Sequence, residues 1–396
     1  MADTLRALGD LARHFVARET AGHPVPVLAI GGAAGKTTTK TLAGAAVSAL
    51  FGPTLVTPGS LNNLLGVPLT LLTLAPEHQA MVIECGTSTR GEIPRLGEIV
   101  SPEVALVLNV DLEHSEGLGD LASIADEEAA LFAAARRAAL TSTEEPELLA
   151  RLARTDGPEG ILFGPGPRAD VRIARRETAA DGTSRVTLEV GTRFLARSTE
   201  RRMEVATPLL GPAAAGNLAA AVAGAAALRD RPLDQEELVA VARALAAVPA
   251  VPGRLAPREL GGVLLLDDTY NANPRSVRAA LAAACEAAAA RGGRLVVALG
   301  DMLELGAESE RAHREIVREV GATGAALVVA VGPETTAAAR AVHLAADTLL
   351  AEDAAEISGA FAGAVRAGDV VLVKGSRGMR MERLVAALER DRGGAA

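Results

Sequence analysis

The chain has 396 residues, of which 49% are hydrophobic, and this is enough apolar material for two or three separate cores. Its net charge of −9 makes nucleic acid a poor partner, and its aromatic content of 2% disfavours binding by ring stacking. Two cysteines provide neither a disulfide framework nor paired zinc ligands, which favours a reducing, cytoplasmic location.

Residues 1–24 are predicted to hold one amphipathic helix, which is neither a signal peptide nor a membrane anchor. Its apolar positions are Leu5, Leu8, Leu11 and Phe15. No later run reaches the roughly 18 uninterrupted apolar residues that a membrane span needs. No span is therefore predicted.

From residue 25 the chain alternates short apolar runs with helical segments, as in a parallel α/β sheet. The predicted strands are 25–30, 81–83 and 104–109. Residues 169–207 alternate in polarity and are predicted to form an antiparallel hairpin excursion. The segment 248–253 contains two prolines and a glycine and is the predicted domain boundary.

Beyond this boundary the alternation restarts. Four apolar runs, each ending in a polar or glycine-containing loop, are 263–266, 295–299, 327–331 and 370–373. They predict a second doubly wound sheet, with ligand groups at the carboxyl ends of its strands.

The strongest chemical signal is the loop Gly-Ala-Ala-Gly-Lys-Thr-Thr at 32–38, between a predicted strand and a predicted helix. In such a loop, backbone N–H groups and the helix N-terminus wrap a triphosphate, while Lys36 reaches its outer phosphates and Thr37 holds Mg²⁺. Ile30 departs from the Walker pattern, since it stands at the first glycine position. A plain flexible turn would not explain a Lys-Thr-Thr run at the start of a helix.

Other polar side chains follow predicted strands. Glu84 and His114 are candidate ligands for a magnesium ion, although each alone would more often be an ordinary strand-end or loop residue. Arg254 offers a guanidinium for a γ-phosphate. The loops 267–274, 300–306 and 374–377 are predicted to line a pocket, with capped turns as the alternative.

Eight segments, taken in order, resemble the motifs of the Mur ligase family, from the N-terminal helix to about residue 388. They are Gly-Lys-Thr-Thr at 35–38, Asn-Asn-Leu-Leu-Gly-Val-Pro-Leu-Thr at 62–70, Glu84 with Gly-Glu-Ile at 91–93, Asn109 with His114, Gly-Arg at 253–254, Asp268 with Tyr-Asn-Ala-Asn-Pro at 270–274, Gly-Asp-Met at 300–302 with Glu-Leu-Gly at 304–306, and Lys-Gly-Ser-Arg at 374–377. The resemblance implies an α/β fold. A P-loop ATP-binding domain over 25–250, with a parallel-rich sheet and a small antiparallel excursion, would precede a Rossmann-like domain over 251–396.

The resemblance also implies an ATP-dependent, ADP-forming amide ligase. A substrate carboxylate attacks the γ-phosphorus to give an acyl phosphate, which the amine of an amino acid or dipeptide then attacks. The C-terminal motifs favour addition of D-alanyl-D-alanine to UDP-N-acetylmuramoyl-tripeptide, a step in peptidoglycan precursor synthesis. The residue inventory agrees, because phosphoryl transfer needs positioning and charge neutralisation more than a nucleophile.

Particular roles follow from the resemblance, with ATP and Mg²⁺ as cofactors. The implied catalytic residues are Lys36, Glu84, His114, Glu128 and Arg254. The implied nucleotide contacts are Gly32, Gly35, Lys36, Thr37, Thr38, Asn217, Arg254 and Asp268. The implied magnesium ligands are Thr37, Glu84 and His114. The implied substrate contacts are Asn62, Asn63, Tyr270, Asn271, Asn273, Asp301, Glu304 and Lys374.

The sequence departs from the family pattern at three points. Only about two dozen residues precede the first predicted strand, too few for the family's UDP-binding domain. We therefore expect that domain to be missing, to come from a separate protein, or to be unnecessary because the acceptor is not a UDP-sugar. Glu128 stands where the family has a carbamylated lysine; it is about 4 Å shorter and is expected to support the metal without CO₂. The stretch 211–217 keeps only Asn217 of the family's adenine-contacting motif.

Two alternatives to the D-alanyl-D-alanine-adding function stay open. A ligase with the same chemistry but a different carboxylate acceptor is favoured by the missing domain. A non-catalytic nucleotide-binding partner of a true ligase is favoured by Glu128 and by the altered stretch 211–217. A GTPase is disfavoured, because no Asn-Lys-x-Asp motif follows the P-loop.

Overall fold

The computed structural model describes residues 3–111 and 115–393, which divide into two compact units. The first unit comprises the chain up to Arg175 together with Val186–Val205 and Ala215–Val248. The second comprises Arg176–Arg185, Ala206–Ala214 and the chain from Pro249 onward. The sequence pattern did not predict the two short pieces of the second unit.

A nine-stranded sheet contains the strands of the first half of the chain. They are β1 (Val27–Gly31), β2 (Thr54–Val56), β3 (Ala80–Glu84), β4 (Val104–Val107), β5 (Ala138–Ser142), β6 (Glu159–Gly164), β7 (Val171–Thr178), β8 (Ser184–Val190) and β9 (Arg202–Thr207). Their order across the sheet is β2-β3-β1-β4-β5-β6-β7-β8-β9. The pairs from β2 to β7 are parallel.

Nine helices accompany these strands in the described part of the chain. They are α1 (Thr4–Glu19), α2 (Lys36–Phe51), α3 (Gly66–Leu71), α4 (Glu92–Val100), α5 (Ser115–Leu118), α6 (Leu121–Ala134), α7 (Pro146–Leu152), α8 (Gly211–Leu228) and α9 (Gln235–Ala246). Strands β1, β3, β4 and β5 are buried along their whole length, as is usual for parallel strands. Alanine, leucine, valine and isoleucine make up most of this core.

A six-stranded sheet organises the second unit. Its strands are β10 (Ala256–Leu260), β11 (Val263–Asp268), β12 (Leu295–Gly300), β13 (Leu327–Val331), β14 (Asp347–Ala351) and β15 (Val370–Lys374). The order is β10-β11-β15-β12-β13-β14, with β10 antiparallel to β11 and the other pairs parallel. The accompanying helices are α10 (Pro274–Arg291), α11 (Ser309–Ala322), α12 (Pro333–Ala341), α13 (Ala354–Ala364) and α14 (Glu382–Gly393).

The predicted fold class is confirmed. Both halves are α/β with parallel-rich sheets, and a small antiparallel part is present. Among the described residues, α8 alone is long and apolar enough to cross a membrane, but 78% of it is buried inside the protein. Such burial is typical of a core helix.

The register of the first sheet brings three loops together. Ile30 of β1 pairs with Glu84 of β3, and Gly31 of β1 pairs with Val107 of β4. All three strands run in parallel, so the segments that follow them start side by side at one edge. This edge is where ligands bind in parallel α/β sheets.

Candidate active site

The start of α2 presents backbone N–H groups that the protein leaves available. Earlier in the loop the N–H groups are engaged: Gly32 donates to Glu128 Oε2 (2.8 Å), Ala33 to the carbonyl of Asn109 (3.0 Å) and Ala34 to Asn109 Oδ1 (2.8 Å). In the described part of the chain, no protein acceptor bonds the N–H groups of residues 35–38, and no side chain caps the helix. Residues 35–38 include the predicted contacts Gly35 to Thr38, so this helix start can receive an anion.

Two glycines shape the loop. Gly35 has φ +86°, and a Cβ there would lie 2.7 Å from Asn217 Oδ1. Gly32 has φ +121°, and a Cβ there would lie 3.0 Å from the backbone nitrogen of Leu108. Both positions therefore require glycine. Asn217, a predicted nucleotide contact on α8, lies directly against the loop.

Asn109 holds the loop by its side chain and its backbone. Its Oδ1 accepts the N–H of Ala34, its Nδ2 donates to the carbonyl of Ala34 (2.9 Å), and its own carbonyl accepts the N–H of Ala33. The residue belongs to a family motif, but it was not among the predicted site residues. Its position just beyond the end of β4, beside the loop after β1, is the signal that could have identified it.

Lys36 lies over the loop that precedes α2. Its ammonium donates to the carbonyls of Gly32 and Ala33, the latter at 3.2 Å. A flexible four-carbon stem lets such an ammonium exchange carbonyl oxygens for phosphate oxygens. Lys36 therefore lies at the helix start that can receive an anion, and its role in phosphate binding stays a prediction.

Glu84 is the central charged group of this edge and is only 1% exposed. Its Oε1 accepts from Asn62 Nδ2 (2.9 Å) and from Thr37 Oγ1 (3.3 Å). Its Oε2 lies 3.2 Å from the Lys40 ammonium, but it has no hydrogen-bond partner in the described residues. A buried carboxylate oxygen without a hydrogen bond, next to a threonine hydroxyl, is a donor set that suits Mg²⁺.

The third predicted magnesium ligand, His114, lies outside the described residues. Within residues 3–111 and 115–393, no group of three or more His, Cys, Asp or Glu side chains could hold a metal ion by itself. A cation beside Thr37 and Glu84 would therefore need further ligands, such as phosphate or water oxygens or a side chain outside the described residues.

Glu128, on α6, reaches the same edge from the other side. Its carboxylate is buried and accepts the N–H of Gly32, the first amide of the loop that follows β1. Burial, followed by the charges of Glu128 and Glu84, raises the pKa of the Cys85 thiol well above its ordinary value. Cys85 thus lies near both carboxylates, and its burial favours the neutral form of the thiol.

A second cluster lies at the carboxyl ends of β11 and β15. The buried Lys374 ammonium donates to Asp268 Oδ2 (2.6 Å) and to the carbonyl of Asn271 (2.8 Å). The N–H of Leu255, which has φ +53°, donates to Asp268 Oδ1 (3.0 Å). Each carboxylate oxygen keeps a second lone pair, so Asp268 can still accept from a ligand hydroxyl.

Arg254 and Tyr270 form a stacked pair in this second cluster. The centre of the guanidinium lies 4.1 Å from the centroid of the Tyr270 ring. The backbone supports the pair, because the N–H of Tyr270 donates to the carbonyl of Gly253 (3.0 Å). The ring therefore fixes the plane in which the Arg254 guanidinium lies.

Other predicted substrate contacts hold the fold itself. Asp301 accepts two N–H groups at the start of α12 (2.7 and 3.3 Å), and Asn273 caps α10. Asn63 accepts two N–H groups at the start of α3 (2.8 and 3.2 Å). Glu304 has φ +64°, in the loop that follows β12. The alternative of capped turns therefore describes Asp301 and Asn273 well, and Asn63 has the same kind of bonding.

Two polar residues that the prediction missed support the loop after β12. His313 is buried and accepts the N–H of Met302 at Nε2 (2.9 Å), while its Nδ1 bonds the carbonyl of Ser309 (2.8 Å). Ser376 Oγ accepts the N–H of Leu303 (2.9 Å). A polar residue in an otherwise buried helix stripe, as at His313, is the available sequence signal.

The fold and the loop at the start of α2 define an α/β protein with a P-loop. Two family models match the chain: the Mur ligase middle domain over residues 30–225 and the Mur ligase, glutamate ligase domain over residues 253–377. The UDP-N-acetylmuramoyl-tripeptide--D-alanyl-D-alanine ligase of Escherichia coli (strain K12) is 35% identical over 98% of this chain and 81% of its own length. The ligase of the same name from Treponema pallidum is 31% identical over 98% and 80%. The chain therefore belongs to the Mur ligase family.

Solved structures agree with this assignment. MurF from Acinetobacter baumannii superimposes with a TM-score of 0.85 at 30% identity, covering 98% of this chain and 81% of that one. MurF ligase from Thermotoga maritima, in complex with ADP, gives a TM-score of 0.84 at 26% identity, covering 100% and 86%. The predicted family resemblance is confirmed.

Replacing Asn109 with Ala is expected to weaken ADP binding about tenfold. The change removes two side-chain hydrogen bonds to Ala34, each worth about 1 kcal/mol, and leaves the loop free to move. Isothermal titration calorimetry measures the affinity. Asn63→Ala, which also removes two side-chain hydrogen bonds to the backbone, is the matched control and should leave ADP affinity unchanged. Equal ADP affinities of Asn109→Ala and the wild type would contradict a role of the Asn109 side chain in holding the loop.

Proposed function

We propose that this chain is an ATP-dependent, ADP-forming ligase that adds D-alanyl-D-alanine to UDP-N-acetylmuramoyl-tripeptide in peptidoglycan precursor synthesis. The observation that carries the proposal is the start of α2, where available N–H groups lie beside Lys36 and the Thr37–Glu84 pair. This arrangement suits phosphoryl transfer from a nucleotide. The names of the relatives supply the two substrates.

The residues of the first unit divide the work of holding the nucleotide. The N–H groups of 35–38 would bind phosphate oxygens, and Lys36 would offset the charge on the outer phosphates. Thr37 and Glu84 would hold Mg²⁺, with His114 as a further ligand; the bound ion would neutralise charge on the transferred phosphoryl group. The acceptor carboxylate would attack the γ-phosphorus, so that ADP leaves and an acyl phosphate forms; the amine of D-alanyl-D-alanine would then displace phosphate from it and lose a proton to give the amide. Asn62 and Asn63 would help to hold the acceptor.

The residues of the second unit would serve the nucleotide and the amine. We assign phosphate contact to Arg254, ribose contact to Asp268, and substrate contacts to Tyr270, Asn271 and Lys374. Asp301, Asn273 and Glu304 would act through the loops that they shape. In domain terms, 25–250 would bind ATP and 251–396 would receive the amine. Small-molecule substrates and a cytoplasmic location follow from this function.

The reaction itself is the first test. With UDP-N-acetylmuramoyl-tripeptide, D-alanyl-D-alanine, ATP and Mg²⁺, the protein should release phosphate in an amine-dependent manner and yield the extended peptide, detected by mass spectrometry. Lys36→Met should lower turnover at least 100-fold, since it removes a charge from the transition state.

The other outcomes distinguish the alternatives. Activity with a different acceptor and none with this pair would overturn the substrate assignment and leave the ligase chemistry intact. ADP binding without phosphate release for any pair would indicate a non-catalytic partner.

Glu128 should support the site without CO₂. Turnover of the wild type is expected to be the same in CO₂-depleted and bicarbonate-containing buffers, because the carboxylate is permanent. Glu128→Ala should lower turnover at least tenfold and raise the magnesium requirement. Glu128→Gln keeps an acceptor for the N–H of Gly32 and removes only the charge, so it separates loop support from metal support. Unchanged magnesium dependence and turnover in Glu128→Ala would refute the role.

Tyr270 should act on ATP use through Arg254. Tyr270→Leu removes the stacked ring and is expected to raise the KM for ATP two- to fivefold, which corresponds to a cation–π contact of about 0.5–1 kcal/mol. Tyr270→Phe keeps the ring and should stay within twofold of the wild type. Steady-state kinetics measure both variants, and an identical loss in the two would point to the hydroxyl instead of the stack.

A further inference from the structure

The chain contains only three lysines, against 37 arginines. Lys36 and Lys374 have proposed roles in nucleotide and substrate binding. Lys40, one helical turn beyond Lys36, has none. Lysine is thus confined to three positions in a protein that otherwise uses arginine as its basic residue. An arginine carries a wide planar fork, whereas lysine is a compact point charge. The confinement suggests that position 40 needs such a charge.

Lys40 makes two contacts from its buried position in α2. Its ammonium lies 3.2 Å from Glu84 Oε2 and donates to the carbonyl of Gly59 (2.5 Å). The side chain is 4% exposed. A carboxylate as buried as Glu84 is strongly destabilising without a counter-charge, and Lys40 supplies that charge.

The carbonyl of Gly59 belongs to the segment 57–62, which surrounds Glu84. Thr57 Oγ1 accepts the N–H of Glu84 (2.9 Å), and Asn62 Nδ2 donates to Glu84 Oε1 (2.9 Å). The carbonyl of Asn62 in turn accepts the N–H of Gly86 (2.8 Å). Lys40 therefore joins α2 to the middle of this segment.

We propose that Lys40 is a positioning residue. Its single ammonium group holds in place both the acceptor-binding segment 57–62 and Glu84, the carboxylate that would bind Mg²⁺. The inference rests on the proposed function, in which Asn62 and Asn63 hold the acceptor and Glu84 holds Mg²⁺. The ammonium fixes both groups before any ligand arrives. The ammonium also weakens the binding of a dication to Glu84, because two positive charges next to the same carboxylate repel each other.

Replacing Lys40 should therefore weaken the binding of the acceptor but strengthen the binding of Mg²⁺. Lys40→Met removes the anchor of segment 57–62, so the KM for the acceptor should rise at least tenfold. The same change removes the positive charge beside Glu84, so the Mg²⁺ concentration that half-saturates ADP binding should fall at least threefold. The KM for ATP should stay within twofold. A general loss of folding would not produce this pattern.

The control variant is Thr39→Val, on the same helix. Thr39 is buried, and its hydroxyl has no hydrogen-bond partner in the described residues, so a valine of the same shape should change neither quantity. Lys40→Arg keeps the charge and replaces the compact head. It should raise the acceptor KM and leave the magnesium requirement at the wild-type value.

Calorimetry of ADP binding at a series of Mg²⁺ concentrations measures the magnesium requirement without any acceptor. If the wild type lacked amine-dependent phosphate release, the proposed function would fail, and the magnesium arm would still decide the role of Lys40. An unchanged acceptor KM in Lys40→Met, or a higher magnesium requirement, would overturn the proposal.

A measurement on the wild type covers the case in which Lys40→Met does not fold. Reductive methylation of the native protein, followed by peptide mass spectrometry, should modify Lys36, with protection by Mg²⁺ and ADP, and should leave Lys40 unmodified. Methylation of native Lys40 to the extent seen for Lys36 would overturn the buried contact with Glu84.

Discussion

The negative charge of Glu84, buried at the end of β3, is the constraint on which the site depends. A carboxylate that is 1% exposed must be surrounded by donors. The neighbouring elements provide them: the hydroxyl and the ammonium come from α2, and the amide comes from the segment before α3. Because β1 pairs with β3 at Ile30 and Glu84, the loop that leads into α2 begins beside this charge. The register of β1 and β3 therefore places the start of α2 where its side chains can compensate the charge of Glu84.

In both sheets, polar side chains follow the carboxyl ends of parallel strands, but these side chains have different roles in the two sheets. In the first, side chains beyond the strand ends mostly hold the loop or the central carboxylate, as Asn109 and Thr37 do. In the second, Asp301 and Asn273 bond the N–H groups at helix starts, so their polar atoms are used by the fold. Asp268 stands between these cases, since its charge is paired with Lys374 but its oxygens can accept further hydrogen bonds.

Much of this could be predicted from the sequence, for physical reasons. Apolar runs and a glycine-rich turn predict β1, the loop and α2. Both signals are local, since the spacing of apolar residues and the positive φ of the loop glycines depend only on neighbouring residues. Strands β10 and β14 were missed because their exposed, polar positions blur the apolar pattern. The hydrogen bonds between Asn109 and Ala34 could not be derived from the sequence either. The two residues are 75 positions apart, and only the order of the strands in the sheet brings them together. By contrast, the rarity of lysine was visible in the composition and would have singled out Lys40.

The charges around the loop bear on the proposed binding of a nucleotide together with a metal ion. Two ammonium groups, Lys36 and Lys40, and two buried carboxylates, Glu84 and Glu128, lie at the edge where β1, β3 and β4 end. These charges offset one another, and the available N–H groups of α2 add a partial positive charge. A dication alone would meet the ammonium beside Glu84, and a triphosphate alone would meet the carboxylate of Glu128 at the start of the loop. A metal–nucleotide complex would bring both signs at once, so each charge in the site would lie near an opposite charge.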